Sequence, residues 1–343
     1  MAAGFDPIRR LGSGAFGEVW LAREEALGAD YAVKLIRRDC ILSTDSFFEE
    51  ARILKELEHD HIVRVVEAGW MPDQSIYISM QYEPRGSAAD EAGGAPMPMC
   101  RAVSLLCDAL RGLEHAHHKG IVHCDIKPAN ILVGAKGEGK LSDFGLARHM
   151  KAGGAMPPVF YLPHKAPEVA AGAEASVSSD IYAAGVTLYR LLNGDEYLPN
   201  FDGQLACEQA IVRGSFPDRK RYRLFVPGAL RTTVNRAMHV DPNKRYGSAH
   251  ELRSALEQTT IRCDWQEVGT AGATAWTTTL DGTELEVRMV QSQPNVFDVE
   301  TRKRRLGTRL RRVRAECANG LDARKASRFV QGVLTRYASG KRE

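Results

Sequence analysis

The sequence predicts an α+β fold in two lobes, five strands with one helix in the smaller and mainly helices in the larger, followed by a small carboxy-terminal α+β module. Three observations predict it. Strand-like apolar runs crowd the first 83 residues, helical apolar spacing takes over from about residue 101, and the charge balance changes sign near residue 260. Residues 261–343 hold 16 Lys and Arg against 10 Asp and Glu, whereas the whole chain carries only +3. The expected divisions are therefore 1–83, 84–259 and 260–343.

With 343 residues, 44% of them hydrophobic and 26% charged, the chain has the composition of a globular protein large enough for more than one core, which excludes disorder for most of it. It contains no run of about 18 apolar residues and its first residues lack the basic and apolar regions of a signal peptide, so no membrane span and a cytoplasmic location are expected. Seven cysteines with no Cys-x-x-Cys pair fit neither a disulfide framework nor a zinc site.

Taken in order, Leu11 to Val19 is a glycine-rich stretch running into an alternating, strand-like segment. Its glycines let backbone N–H groups approach phosphate oxygens, although a plain hairpin turn would give the same signal. Tyr31 to Ile36 reads as a strand carrying Lys34, an ammonium that needs anionic partners if it is buried. In the helical segment Ser46–Leu57, Phe47, Glu50, Leu54 and Leu57 share one face, so Glu50 points where the apolar stripe points, while Glu49 is rotated by about 100°. Ile62–Val66 and Ser75–Glu83 complete the five strands. The Gly/Ala/Pro-rich stretch Arg85–Pro98 reads as a loop.

In the larger lobe, Val103, Leu106, Leu110 and Leu113 space a helix over Arg101–His118 that delivers the chain into His123-Cys124-Asp125-Ile126-Lys127-Pro128-Ala129-Asn130. Four polar groups capable of chemistry stand in that loop. Thirteen residues beyond Asn130 comes Asp143 of Leu141-Ser142-Asp143-Phe144-Gly145, with room between for a hairpin around Gly137 and Gly139. Ala166-Pro167-Glu168, Ser179-Asp180-Ile181-Tyr182 and Asp241-Pro242-Asn243-Lys244-Arg245 follow.

These stretches, in this order, resemble the Ser/Thr protein kinases over roughly residues 5–257, and Ile-Lys-Pro-Ala-Asn-Ile-Leu and Leu-Ser-Asp-Phe-Gly-Leu-Ala-Arg look like bacterial members. The resemblance implies a bilobal protein-kinase fold, ATP and Mg²⁺ as cofactors, and a protein substrate with a Ser or Thr acceptor. It implies that Asp125 takes the acceptor's proton, that Lys127 neutralises charge on the transferring group, and that Lys34, paired with Glu50, holds the nucleotide phosphates. Asn130 and Asp143 would be the metal ligands. The nucleotide would be held by Leu11, Gly12, Ser13, Gly14, Ala15, Phe16, Gly17 and Val19, by Ala32, by Met80 at the back of the pocket, by the backbones of Gln81 and Glu83, and by Leu132. His123 and Asp180 would brace the loop, and Glu168 would pair with Arg245. An active phosphotransferase is the leading expectation; its rival, a pseudokinase acting as a scaffold, would be expected to lack at least one of these groups.

The chain departs from that family in two places. Cys124 occupies the position usually held by an arginine, and a thiol cannot bind an activating phosphate. Leu146–Lys165 contains no Ser or Thr and a single hydroxyl, Tyr161. Activity is therefore expected not to depend on Ser/Thr phosphorylation of this segment. Tyr161 stands where the family commonly has a Thr, and Phe160 where it commonly has a Gly. Cys124 itself reads as a packing thiol, with a redox role beside the base as the alternative.

Beyond residue 260, strands are expected at Ala275–Thr279, Leu285–Val290 and Val296–Val299, with turns at Asp281-Gly282 and Pro294-Asn295. Two helices are expected next, divided near Asn319-Gly320. The first would carry Leu306, Leu310 and Val313 on one face, the second Ala326, Phe329, Val330, Val333, Leu334 and Tyr337. Residues 302–314 hold eight basic side chains and no acidic one. Such a basic helix suits nucleic acid, an acidic protein partner or a membrane surface, and equally a solvated face.

Overall fold

The structure, a computed structural model, describes residues 4–14, 17–26, 28–36, 55–71, 75–144, 148–149, 162–305 and 307–340. The smaller lobe is one antiparallel sheet of β1 (Phe5–Gly14), β2 (Gly17–Glu24), β3 (Ala29–Ile36), β4 (Val65–Trp70) and β5 (Ile76–Gln81), in the order β1-β2-β3-β5-β4. Alternation along β3 and β5 buries Ile36, Ile76, Ile78 and Met80 on one face, while Phe5, Ala22 and Val33 form a second cluster. At the start of β2 a side chain on Gly17 would stand 1.8 Å from the Leu35 carbonyl oxygen, so only glycine allows that strand against β3.

Two expectations for this lobe need correction. The run Ile62–Val66 is not one strand, because β4 begins at Val65; Ile62 and Val63 are buried and Val63 N–H bonds the Leu141 carbonyl of the larger lobe at 2.8 Å. Their apolar character serves the joint between lobes. The strand read as Ser75–Glu83 ends at Gln81. Of the helix read over Ser46–Leu57, residues 55 and 56 are helical and Leu57, fully buried, lies in a turn; residues 46–54, with Glu50, lie outside the described residues.

The larger lobe holds α1 (Ala88–Ala92), α2 (Met99–His118), β6 (Ile121–Val122), β7 (Ile131–Val133), β8 (Gly139–Leu141), β9 (Arg148–His149), α3 (Pro167–Ala170), α4 (Val177–Asn193), α5 (Gln204–Val212), α6 (Gly228–Ala237) and α7 (Ala249–Glu257). Helix α1 falls inside the stretch expected to be a loop. Its cause is a capping box: Ser87 Oγ accepts from Asp90 N–H at 3.2 Å while the Asp90 carboxylate accepts from Ser87 N–H at 2.8 Å. Helix α4 is buried along nearly all its length and starts on a second capping box, Ser176 with Ser179, which places Asp180 in its first turn.

The carboxy-terminal module is a six-stranded antiparallel sheet of β10 (Gln266–Thr270), β11 (Ala273–Leu280), β12 (Thr283–Gln293), β13 (Val296–Arg305), β14 (Arg311–Arg312) and β15 (Ala318–Leu321), covered by α8 (Ala323–Ser339). The hairpin turns fall at Asp281-Gly282 and Asn295, all with positive φ. Ala326, Val330, Val333 and Leu334 of α8 are buried, as their spacing predicts. The other expected helix is absent among the described residues. Residues 296–305 pair with β12 along their whole length, Arg304 meets Glu284 across the strands at 2.5 Å, and Gly307 turns the chain into β14. Leu310 is 40% exposed, so its spacing with Val313 was no helical face.

One core runs through the larger lobe and the module, since Met99 and Leu256 belong to the same buried cluster as Cys263, Trp265, Trp276 and Leu334. Polar contacts stitch the same junction. Asp264 accepts from Cys100 N–H at 3.0 Å, and the Arg223 guanidinium joins the Asn193 carbonyl at 3.0 Å, Glu196, and Glu267 of β10 at 3.0 Å. Among the described residues all cysteines are free, and no helix is long and apolar enough to cross a membrane.

Candidate active site

The site is assembled by two short devices in the larger lobe and one strand of the smaller. Asp180, 1% exposed, accepts the backbone N–H groups of His123 at 2.8 Å and Cys124 at 2.9 Å, and His117 Nε2 lies 2.9 Å from the same carboxylate. Cys124 has φ +67°, uncommon for a non-glycine residue, and it is this pair of bonds that holds the loop in that turn. Downstream, the β7–β8 hairpin carries the chain from Asn130 back to Asp143, which also has positive φ.

His123 is fully buried between these two loops. Its Nδ1 accepts the Asp125 N–H at 3.2 Å and its Nε2 donates to the Ser142 carbonyl at 3.1 Å, which fixes the tautomer with the proton on Nε2. The ring also packs on Phe144, centroids 4.5 Å apart. Both nitrogens are thus occupied in bracing, and neither faces a reacting group.

Asp125 is 7% exposed, and its Oδ2 accepts from Lys127 Nζ at 2.6 Å and from Asn130 Nδ2 at 2.9 Å. Burial raises the Asp125 pKa above the ordinary aspartate value against the pull of the Lys127 ammonium. Asn130 Nδ2 also donates to the Asp125 carbonyl at 2.8 Å, which commits the amide nitrogen and leaves Oδ1 as the group's donor oxygen. Lys34, 8% exposed on β3, reaches across to Asp143 with 2.8 Å between Nζ and Oδ1. That ammonium holds the Asp143 carboxyl below its usual range although burial opposes it.

The structure therefore brings Lys34, Asp125, Lys127, Asn130 and Asp143 into one constellation spanning both lobes. Ala32 and Met80 face each other in the β3–β5 pairing, Val19 pairs with Lys34, and Leu132 is half-buried on β7. Leu11, Gly12, Ser13, Gly14 and Gly17 lie at the β1–β2 turn, whereas Ala15, Phe16, Glu50 and Tyr161 fall outside the described residues. Gln81 is exposed at the end of β5. Away from the site, Arg245 and Glu168 form a two-pronged pair with both contacts at 2.6 Å.

Sequence reasoning missed one feature at the floor of this cleft. The Glu83 side chain is buried and accepts from Lys140 Nζ of β8 at 2.6 Å, and Val133 N–H bonds the Gly86 carbonyl at 2.8 Å. The segment joining the lobes is thereby tied to the hairpin that carries Leu132. The signal available was Lys140 itself, a lysine on a short strand otherwise made of buried residues.

The donor set fits a hard divalent cation: an amide oxygen from Asn130 and a carboxylate from Asp143, few enough that phosphate oxygens and water would complete the shell. Comparison with known proteins agrees with this geometry. The protein kinase domain family matches residues 5–256. The chain is 37% identical over 268 residues to a serine/threonine-protein kinase, pkn2, of Myxococcus xanthus, covering 74% of this chain and 32% of that protein. It is 34% identical over 269 residues to PknJ of Mycobacterium tuberculosis, with 74% and 45% covered, and 31% identical over 263 residues to PrkC of Bacillus subtilis, with 73% and 39% covered; both carry the same serine/threonine-protein kinase description. The chain thus spans between about a third and a half of the length of these relatives.

Proposed function

The chain belongs to the protein kinase family, and from that premise we propose that it transfers the γ-phosphoryl group of ATP to Ser or Thr hydroxyls of a protein substrate, with residues 1–83 and 84–259 as its lobes and 260–343 as an appended module. The observation that carries this reading is the five-residue constellation, held in two bonded sets: Lys34 with Asp143 across the lobes, and Asp125 with Lys127 and Asn130 within the larger one. Phosphoryl transfer asks mainly for positioning and charge stabilisation, and these side chains provide both.

Asp125, with Oδ2 engaged by Lys127 and Asn130, presents its remaining oxygen to accept the hydroxyl proton. Lys127 stands beside it as a cation for the charge that develops on the transferring group. Lys34 supplies a second cation from the opposite lobe, aimed at the nucleotide phosphates, and Glu50 is its proposed further partner. Asn130 and Asp143 are the residues that would hold Mg²⁺, whose chemistry when bound is to offset phosphate charge. The glycines of the β1–β2 turn, the Ala32–Met80 pair and Leu132 are proposed to enclose the nucleotide.

With Cys124 before the base and no Ser or Thr in Leu146–Lys165, the reading is of a kinase whose segment is not switched by a Ser/Thr phosphate. Transfer of label from ATP to the protein itself and to a generic basic protein tests the enzyme reading. Wild type should far exceed Asp143→Ala and Lys34→Ala; equal labelling of all three would leave a scaffold instead.

The module adds a partner surface. Lys303, Arg305, Arg309, Arg311 and Arg314 are exposed and form no ion pair among the described residues, which favours an anionic partner, acidic protein or nucleic acid. The full chain should be retained on DNA or RNA filters at low salt and released as salt rises. Absence of retention at low salt would remove nucleic acid from this reading.

A further inference from the structure

We propose that His164 and Arg190 are positioning residues that fasten the end of the Leu146–Lys165 segment to the catalytic loop, His123–Asn130, without a phosphate, and so fix where the acceptor hydroxyl meets Asp125. This inference rests on the phosphotransfer reading and accounts for how the end of that segment, residues 162–165, is held.

The contacts run from the end of α4 through His164 to the loop that holds Asp125. His164 ends a short 3-10 turn just before Ala166-Pro167-Glu168 and is 4% exposed. Its Nε2 lies 3.1 Å from an N–H of Arg190, a permanent donor, so Nε2 accepts and the ring proton sits on Nδ1. Nδ1 then donates to Thr187 Oγ1 at 3.3 Å. The Thr187 hydroxyl gives its one proton to the Ala183 carbonyl at 2.8 Å and stands 3.4 Å from the carbonyl of Ile126, the residue between Asp125 and Lys127; the His164 ring faces the same two carbonyls. At the other end Arg190 is gripped by Asp195 through Nε at 3.0 Å and a terminal N–H at 2.9 Å. Thus Asp195, Arg190, His164, Thr187 and Ile126 link the loop after α4, the segment end and the catalytic loop.

Physical chemistry makes this chain stiff. Thr187 and His164 are buried, so a bond broken there is not replaced by water. Burial and the Arg190 charge hold the His164 pKa well below the ordinary histidine value, which keeps Nε2 an acceptor at neutral pH. An activating phosphate would make charge-assisted bonds to an arginine at the position of Cys124. Here the arginine is Arg190, reaching the segment from α4, and its acceptor is an imidazole that is always present.

The test is steady-state transfer to a generic basic protein by the full chain, with the Michaelis constants for ATP and acceptor measured separately. His164→Phe keeps the ring and removes both nitrogens; Thr187→Val keeps the shape and removes the hydroxyl; Thr187→Ser restores it. Misplacement of a reacting group by about 1 Å can cost 10²-fold, so His164→Phe and Thr187→Val should lower kcat/KM for the acceptor by about ten-fold or more, with the KM for ATP within about two-fold of wild type. Thr187→Ser should recover most of the loss. Wild-type acceptor kinetics in Thr187→Val, or an equal rise in the KM for ATP, would overturn the proposal. Should His164→Phe not fold, Thr187→Val against Thr187→Ser decides alone. A wild type that transfers nothing would instead sink the phosphotransfer reading itself.

Discussion

Replacing Asp125 with asparagine is expected to lower phosphoryl transfer by about 10²- to 10⁴-fold, the usual contribution of a positioned general base. Nucleotide affinity should change little, because the Lys34–Asp143 side of the site is untouched. The geometry explains why no neighbour compensates. Lys127 and Asn130 both donate to Oδ2 of Asp125, and both nitrogens of His123 are committed to backbone groups. An amide at position 125 must turn its oxygen to these two donors, leaving an N–H₂ group where the proton should be received. The pH profile adds a second reading. Burial raises the Asp125 pKa, and a carboxylate accepts a proton only when ionised, so with Asp125 in the proposed role the wild-type rate should fall as pH drops through that raised value. Single-turnover transfer measured from neutral to acid pH checks both points; an asparagine variant with the wild-type rate would remove Asp125 from the role of base.

Arg245→Met should cause the largest loss of stability, about 3–5 kcal/mol, because removing one partner of a buried pair leaves an uncompensated charge. Its side chain is fully buried, meets both oxygens of Glu168, and also donates to the His239 carbonyl at 2.7 Å and the Ser178 carbonyl at 2.9 Å. The guanidinium further stacks 4.9 Å from the centre of the Tyr182 ring. Since the Glu168 side chain retains 19% exposure, water recovers part of its charge and the lower end of the range is favoured. Each kcal/mol moves the melting temperature by about 2–4 °C in a domain of this size. Thermal unfolding of Arg245→Met and of the double variant with Glu168→Gln is the measurement. The double variant should be less destabilised than the two singles would give by addition, and a melting temperature unchanged in Arg245→Met would refute the anchoring role.

The chain's legibility followed the range of each interaction. The catalytic loop and the Asp143 stretch could be read because several groups of one site stand within eight and five residues. Lys34 could be read because a lysine on a buried strand requires an explanation. Helix α1 was missed although its Ser87 and Asp90 are a local signal, since the glycines and alanines around them look like a loop. The basic stretch was misread as a helix because apolar spacing at Leu306, Leu310 and Val313 is only three residues long. What decided its conformation was pairing with β12, near in sequence but unreadable from charge. The Arg190–His164 and Lys140–Glu83 contacts join residues 26 and 57 positions apart; Lys140 stands out on its short strand, but no local pattern names the partner of either.

The junction at residue 260 has a consequence for how the molecule could be taken apart or recombined. Composition draws a line there, and the family resemblance stops just before it, yet Trp265 and Trp276 share a core with Leu256, and Arg223 clasps Glu267, which in turn accepts from the Trp276 indole at 3.0 Å. The last eighty residues are accordingly no interchangeable cassette. Grafted onto another lobe, they would need a guanidinium at the place of Arg223 and a backbone N–H at the place of Cys100. A mechanical load applied to the basic strands would be transmitted through that clasp to the carbonyl of Asn193, at the end of the helix whose first turn holds Asp180 beneath the catalytic loop.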